Sequence, residues 1–317
     1  MLPRIVYKIF FYFYFKIVGL VFQILNYCKR KDSVEKPEDV LVLISATDAA
    51  EMIRTREITS FDLVSAYVER IKVVDPMLNA VVSNNFEEAL RLAEQVDVYL
   101  DKLDKNSEEY LDLKNTKPLL GVPFTAKETY AVAGFAWAAG VYVRKDKFAI
   151  EDAELVKRVK DSGAILLAIT NVPEAAMWFE TNNQIYGRTN NPYDLRRAVG
   201  GSSGGEAALI AAAGSVFGLG SDIGGSIRIP AIFNGVFGLK TTELTVPMGG
   251  QYPRVDPGSY KERMLSLGPI CRYAKDLPLL LKVFVGEETA NGPMKLNQPV
   301  SLRKTRFFYM EELHSLE

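Results

Sequence analysis

Two serines stand at two glycine clusters within one stretch, GGSSGGEAALIAAAGSVFGLGSDIGGSIRIPAIFNGVFGLK, residues 200–240. Ser202 follows Gly200 and Gly201, and Ser226 follows Gly224 and Gly225. A serine hydroxyl becomes a nucleophile once a neighbouring base takes its proton, and glycines let main-chain N–H groups approach a reacting carbonyl oxygen. Eleven of the chain's 23 glycines fall in this stretch, so it is here that backbone must come close to a ligand or reacting atom. The base is not readily a histidine: the single one, His314, lies near the end of the chain, where nothing obvious would hold it rigidly. A buried lysine is the common substitute. The histidine shortage also argues against a zinc site, and neither metal nor cofactor is expected.

Three other readings of the same glycines compete. A phosphate-binding loop needs a lysine after its second glycine, which neither cluster supplies. A dinucleotide fingerprint fails because Gly218 and Gly220 are followed by Ile223 where the third glycine should stand. Gly201-Ser202-Ser203-Gly204-Gly205 formally fits a nucleophile elbow centred on Ser203, but that arrangement needs the histidine base that is lacking.

The elements that must position these residues follow an α/β pattern. Leu119 to Thr125 (LLGVPFT) reads as a buried strand that delivers Lys127 just beyond its end. Lysines usually lie at the surface, but one placed there is a candidate for desolvation and a lowered pKa. Helical periodicity predicts helices over Ala46–Arg56, Phe61–Val74 (Ser60 as N-cap, ending at Asp75-Pro76), Phe86–Leu103, Glu151–Ser162 and Tyr273–Val285. Strands are predicted at Asn79–Ser83, Ala164–Ile169 and Arg306–Met310, a polar loop at Asp104–Thr116 and another loop at Asn171–Glu174. Met177, Trp178 and Phe179 have an ordinary reading as core.

The N-terminus is a separate unit. From Ile9 to Cys28 the chain is apolar apart from Lys16, Gln23 and Asn26, long enough to cross a bilayer as a helix of about 20 residues. Lys16 near its centre would cost about 2.5–3.5 kcal/mol unless it snorkels. A helix lying in the interface and a buried helix of the soluble part are the alternatives. No small-residue cleavage site follows, which favours an uncleaved anchor, and the positive charges at both ends lean towards a cytoplasmic body. The resulting organisation is an anchor over 1–31, a charged linker over 32–39 and one domain over 40–317. A net charge of -1 without a basic stripe gives no bulk attraction to nucleic acid. Cys28 and Cys271 offer no disulfide framework.

Five segments together resemble the amidase signature family of serine hydrolases: GVPFTAKE from Gly121, IYGRTNNPYDL from Ile185, GGSSGGEAAL from Gly200, GSDIGGSIRIPAIFNG from Gly220 and GPICRYAKDL from Gly268. The likeness runs over about Leu41 to Met310 and within the family is strongest to the membrane-anchored fatty-acid amide hydrolases. It implies an α/β amidase signature fold, a mixed twisted central sheet covered by helices. It implies a Ser-Ser-Lys triad with Ser226 as nucleophile, Ser202 as bridging serine on a cis peptide bond and Lys127 as base; the family's serine spacing selects Ser202 over Ser203. By the same resemblance the oxyanion is held by main-chain N–H groups of Ile223, Gly224, Gly225 and Ser226, while Ser203, Asp222 and Arg228 brace the loops. Met177, Trp178 and Phe179 would line the substrate cleft. The expected function is a membrane-anchored amidase that hydrolyses fatty-acid amides, using a small lipid amide as substrate, with a homodimer as a further expected assembly. The alternatives are a short-chain or general amidase, or a weak paralogue acting as a membrane-associated binding protein.

Family members continue well beyond the point matched by Met310. The resemblance therefore carries the expectation of a C-terminally truncated isoform or incomplete gene model, with an unpaired sheet edge, uncovered apolar surface and marginal stability.

Overall fold

The computed structural model describes residues 2–27 and 32–308. In chain order the elements are α1 (Leu2–Asn26), α2 (Ala46–Thr55), α3 (Ser60–Leu78), β1 (Val81–Asn84), α4 (Phe86–Lys102), α5 (Glu108–Thr116), β2 (Pro123–Lys127), α6 (Glu154–Asp161), β3 (Ile165–Thr170), β4 (Asn182–Asn183) and β5 (Gly187–Arg188). They continue with α7 (Gly204–Ala211), β6 (Phe217–Asp222), α8 (Arg228–Asn234), β7 (Phe237–Gly238), α9 (Tyr260–Met264), β8 (Ser266–Cys271), α10 (Leu277–Val285) and α11 (Glu287–Asn291).

Six strands form one mixed sheet in the order β1-β3-β2-β6-β8-β7. The three central strands β3, β2 and β6 run parallel, and β1, β8 and β7 join antiparallel. Every residue of β2, β3, β6 and β8 is buried, so these strands are covered on both faces and show no alternating pattern. Phe124 and Phe217 face each other in the β2–β6 register with stacked rings 5.7 Å apart, a pair that adds about 0.5–1.5 kcal/mol beyond the area it buries. Helices α3, α4, α7 and α10 pack on this sheet, and α3 packs on both α4 and α7. The expected α/β architecture is the one observed.

Several expected boundaries differ. Thr59, not Ser60, caps α3: its hydroxyl accepts from the Asp62 N–H at 2.9 Å, and Ser60 is the first helical residue. That helix runs on through Pro76 to Leu78, because Asp75 Oδ1 accepts from the N–H groups of Ala80 and Val81 and Asn79 closes the turn in the left-handed region. The segment expected as a polar loop contains α5, capped by Ser107 and held by buried Leu113 and by Tyr110, whose hydroxyl donates to the Arg54 carbonyl at 3.0 Å. Arg306 to Phe308 form no strand and are exposed; Tyr309 and Met310 lie outside the described residues, as does His314.

The N-terminal helix α1 is not covered by the rest of the fold, which removes the reading of it as a core helix; Ile5–Leu25 is long and apolar enough to cross a membrane. The segment expected as a charged linker is docked. Leu195 N–H donates to Asp32 C=O at 2.9 Å, Val34 N–H to Pro192 C=O at 2.9 Å, and Arg70 Nη2 to Glu35 C=O at 2.5 Å.

Candidate active site

Lys127 is the last residue of β2 rather than a residue beyond it, and the sheet buries it completely. Its side chain ends among hydroxyls: Nζ is 2.7 Å from Ser202 Oγ, 2.9 Å from Ser221 Oγ and 3.4 Å from the Ser221 carbonyl. No carboxylate bonds to it among the described residues. Burial lowers its pKa from 10.5 to about 7, against the attraction of Asp222 and Glu206. The amine therefore sheds its proton near neutrality.

Ser202 reaches the lysine from the turn that leads into α7. The Gly201–Ser202 peptide bond is cis, as the resemblance implied. Gly201 has no room for a side chain, since a Cβ there would stand 2.3 Å from the Trp178 carbonyl oxygen. This close approach brings the Met177–Phe179 segment against the backbone beside Ser202. Met177, Trp178 and Phe179 are 72%, 66% and 63% exposed, which excludes their reading as core.

Ser203, next in the chain, does not touch the lysine. Its N–H donates to the Ser226 carbonyl at 3.0 Å and its Oγ to the Ser221 carbonyl at 3.5 Å, tying the two glycine turns together. Ser226 is partly exposed, and no hydrogen bond joins its Oγ to Ser202 or Lys127 among the described residues. The turn that carries it is held from beneath by Asp222. That carboxylate accepts from the N–H of Gly225 at 2.7 Å and of Ile227 at 3.1 Å, and from Arg228 Nε and Nη2, each at 3.0 Å. Burial alone would raise the pKa of Asp222; the Arg228 hydrogen bond and the main-chain donors outweigh it and hold the group at about 2. Of the four N–H groups expected around an oxyanion, that of Gly225 is thus already given to Asp222.

Residues 62–307 match the amidase family. The chain belongs to the amidase signature family. Among its relatives in this family, the "Fatty-acid amide hydrolase 2" of Homo sapiens is 45% identical over 296 residues, 93% of this chain and 54% of that protein. "Fatty-acid amide hydrolase 2-A" of Danio rerio is 45% identical over 269 residues, 84% of this chain and 49% of that protein. A solved structure described as "Fatty acid amide hydrolase" superposes with a TM-score of 0.71 at 27% identity, covering 86% of this chain and 46% of that one. The chain spans about half the length of the curated relatives it matches.

Three site residues were not foreseen from the sequence. Ser221 is a second hydroxyl on the lysine, at the end of β6. Lys240 lies beneath the Ser226 turn, its Nζ 2.5 Å from the Asp222 carbonyl and from the Met264 carbonyl. Glu206 on α7 is wholly buried behind β2. Only Ser221 carried a usable signal, since it directly precedes the Asp222 that the motif already marked. A cavity of about 1140 Å³ lies elsewhere, lined among others by Ala131, Trp137, Phe148, Val246, Met248 and Gln251, and includes none of Lys127, Ser202 and Ser226.

Proposed function

We propose that this chain carries the catalytic machinery of a membrane-anchored serine hydrolase that cleaves fatty-acid amides, with Ser226 as nucleophile, Ser202 as proton bridge and Lys127 as base. The observation that carries the reading is a fully buried lysine with a near-neutral pKa, 2.7 Å from Ser202, the neighbour of the Ser203 whose N–H donates to Ser226 of the second glycine turn.

An amide resists cleavage because its amine leaves poorly unless it is protonated. As Ser226 Oγ bonds to the carbonyl carbon, its proton passes to Ser202 Oγ while the Ser202 proton passes to neutral Lys127 Nζ. The carbonyl oxygen becomes an oxyanion. The N–H groups of Ile223, Gly224 and Ser226 serve it, while Gly225, at a φ of +124° and bonded to Asp222, shapes the turn. The ammonium of Lys127 then returns its proton through Ser202 to the leaving nitrogen, and the C–N bond breaks to leave an ester on Ser226. Water attacks that ester with the same relay taking its proton, the acid is released and Ser226 regains its hydrogen. The donors are fixed before reaction, so no reorganisation is needed; one such donor typically contributes about 3 kcal/mol to the transition state.

The lipid-like substrate rests on three supports: the likeness to proteins named fatty-acid amide hydrolase 2, the exposed apolar rim at Met177–Phe179, and α1. A substrate that partitions into a bilayer is met there by an enzyme held at its surface. The test is labelling of the full chain by a fluorophosphonate, with S226A as control, followed by competition between oleamide and acetamide. Labelling that requires Ser226 and is blocked by oleamide is expected. Labelling blocked equally by acetamide would make it a general amidase, and none at all would make it a binding protein.

A further inference from the structure

Glu206 has no part in the relay, yet it is buried directly behind it. From α7 its Oε2 lies 2.6 Å from Thr125 Oγ1 and its Oε1 lies 2.9 Å from Thr170 Oγ1. Thr125 stands two positions before Lys127 on β2 and so shares its face, and Thr170 is the residue paired with Lys127 in the β2–β3 ladder. The carboxyl reaches this place past Gly218 of β6, where a Cβ would stand 1.7 Å from Oε2. It therefore grips the two strands at the level of the lysine.

Counting protons tells the state of this group. Thr125 Oγ1 lies 3.1 Å from Ser215 Oγ as well as 2.6 Å from Glu206, and Ser215 Oγ donates to the Phe217 carbonyl at 2.8 Å. With its own proton committed, Ser215 accepts from Thr125, and Thr125 has only one proton to give. The short contact between Thr125 and Glu206 then needs a proton from the carboxyl. An ionised carboxylate leaves three contacts served by two protons; a carboxylic acid fills all three.

We propose that Glu206 is a positioning residue for Lys127 that works as a neutral carboxylic acid, holding β2 to β3 at the level of the lysine without offering it a negative partner. An ionised Glu206 would stabilise the charged form of the lysine and keep it protonated at the pH where the relay needs it neutral. The role rests on the reading of Lys127 as base; the protonation state does not. Burial pushes the Glu206 carboxyl up to about 8, against its hydrogen bonds with Thr125 and Thr170 and the attraction of Lys127. The other groups around it leave this balance in place. Tyr130 is buried and donates to the Gly220 carbonyl, Asp222 is engaged by Arg228 and main-chain N–H groups, the Cys271 thiol of β8 is pushed up to about 12, and Arg70 of α3 is spent on the Ala212 and Glu35 carbonyls.

Difference infrared spectra of the full chain against E206Q at neutral pH test the state directly. Loss of a protonated-carboxyl band in the variant is expected; loss of a carboxylate band instead would overturn the proposal. The pH dependence of Ser226 labelling tests the role. In E206Q the rise near pH 7 should keep its position, because a neutral amide replaces a neutral acid, whereas E206A, which lets go of Thr125 and Thr170, should lower the plateau of labelling with that position kept. A rise displaced to lower pH in E206Q would show a negative charge beside the lysine, and an E206A plateau equal to that of the wild type would refute the role. Should E206Q not fold, T125V removes the acceptor of the carboxyl proton and must shift the acid band; an unmoved band is the overturning result. Presence of the band with Ser226 never labelled would sink the hydrolase reading alone, whereas labelled Ser226 with no such band would sink the inference alone.

Discussion

The lysine corner and the outer rim of the same site are built on opposite terms. Lys127, Ser202, Ser221 and Glu206 are polar and buried, and each is hydrogen-bonded at short range. Trp178 and Phe179, on the segment that meets Gly201, and Ile232, Phe233 and Phe237, on the elements after Ser226, are apolar and lie open on the surface, while Ile5–Leu25 of α1 is apolar and uncovered. Polar groups normally cost free energy when buried and apolar groups when exposed. In the first region burial is used to set basicity; in the second, exposure leaves area for contact with something apolar. Under the proposed function chemistry and recognition are separable, and substitutions should divide the same way.

The largest effects belong to the buried corner. K127A, S202A or S226A should each lower amide turnover by about a thousandfold or more with the fold intact, measured by steady-state kinetics beside circular dichroism. If S202A keeps near-native turnover while S221A does not, the relay runs through the other hydroxyl. Wild-type turnover should rise as pH passes about 7, because lysine acts as a base only when neutral and its pKa is depressed to that value by burial. A rise centred near the ordinary lysine value of 10.5 would mean an unburied base. Next in size is the anchor: removing residues 1–31 should move the protein from a detergent-requiring to a soluble fraction, and unchanged, salt-resistant membrane binding would assign attachment to another surface. G218A should cost about 1–3 kcal/mol in chemical denaturation, since its methyl would collide with Glu206 Oε2. Smallest is the rim. W178A should change stability by no more than about 0.5 kcal/mol, because the indole is 66% exposed, while raising KM for long-chain amides more than for short ones. A large loss of stability would show that the rim is structural and break the contrast.

The sequence makes local grammar legible and long-range contacts opaque. The glycine clusters announce tight turns because glycine density is visible in one dimension, and the short apolar runs around β2, β3 and β6 announce buried strands. The choice of Ser202 over Ser203 comes from the family's serine spacing and not from the residues themselves; the contact that separates the two runs to a lysine on a strand 75 residues earlier. Ser221 and Glu206 are ordinary polar residues until β6 and α7 are laid beside β2. Helix α5 was hidden because EEYLDLKNT shows little apolar periodicity; a serine cap and the Tyr110–Arg54 contact stabilise it instead. Proline rules stopped α3 too early because the Asp75 carboxylate satisfies the donors beyond Pro76.

The docked segment after α1 fixes the length of a leash. Asp32 is already bonded to Leu195 and Glu35 to Arg70, whereas α1 ends at Asn26, and the residues between can reach no further than about 20 Å even when fully extended. With α1 inserted as proposed, Asp32 could lie no more than about 20 Å from the end of that helix, so a lipid amide would be met by lateral drift in two dimensions rather than by tumbling through solution.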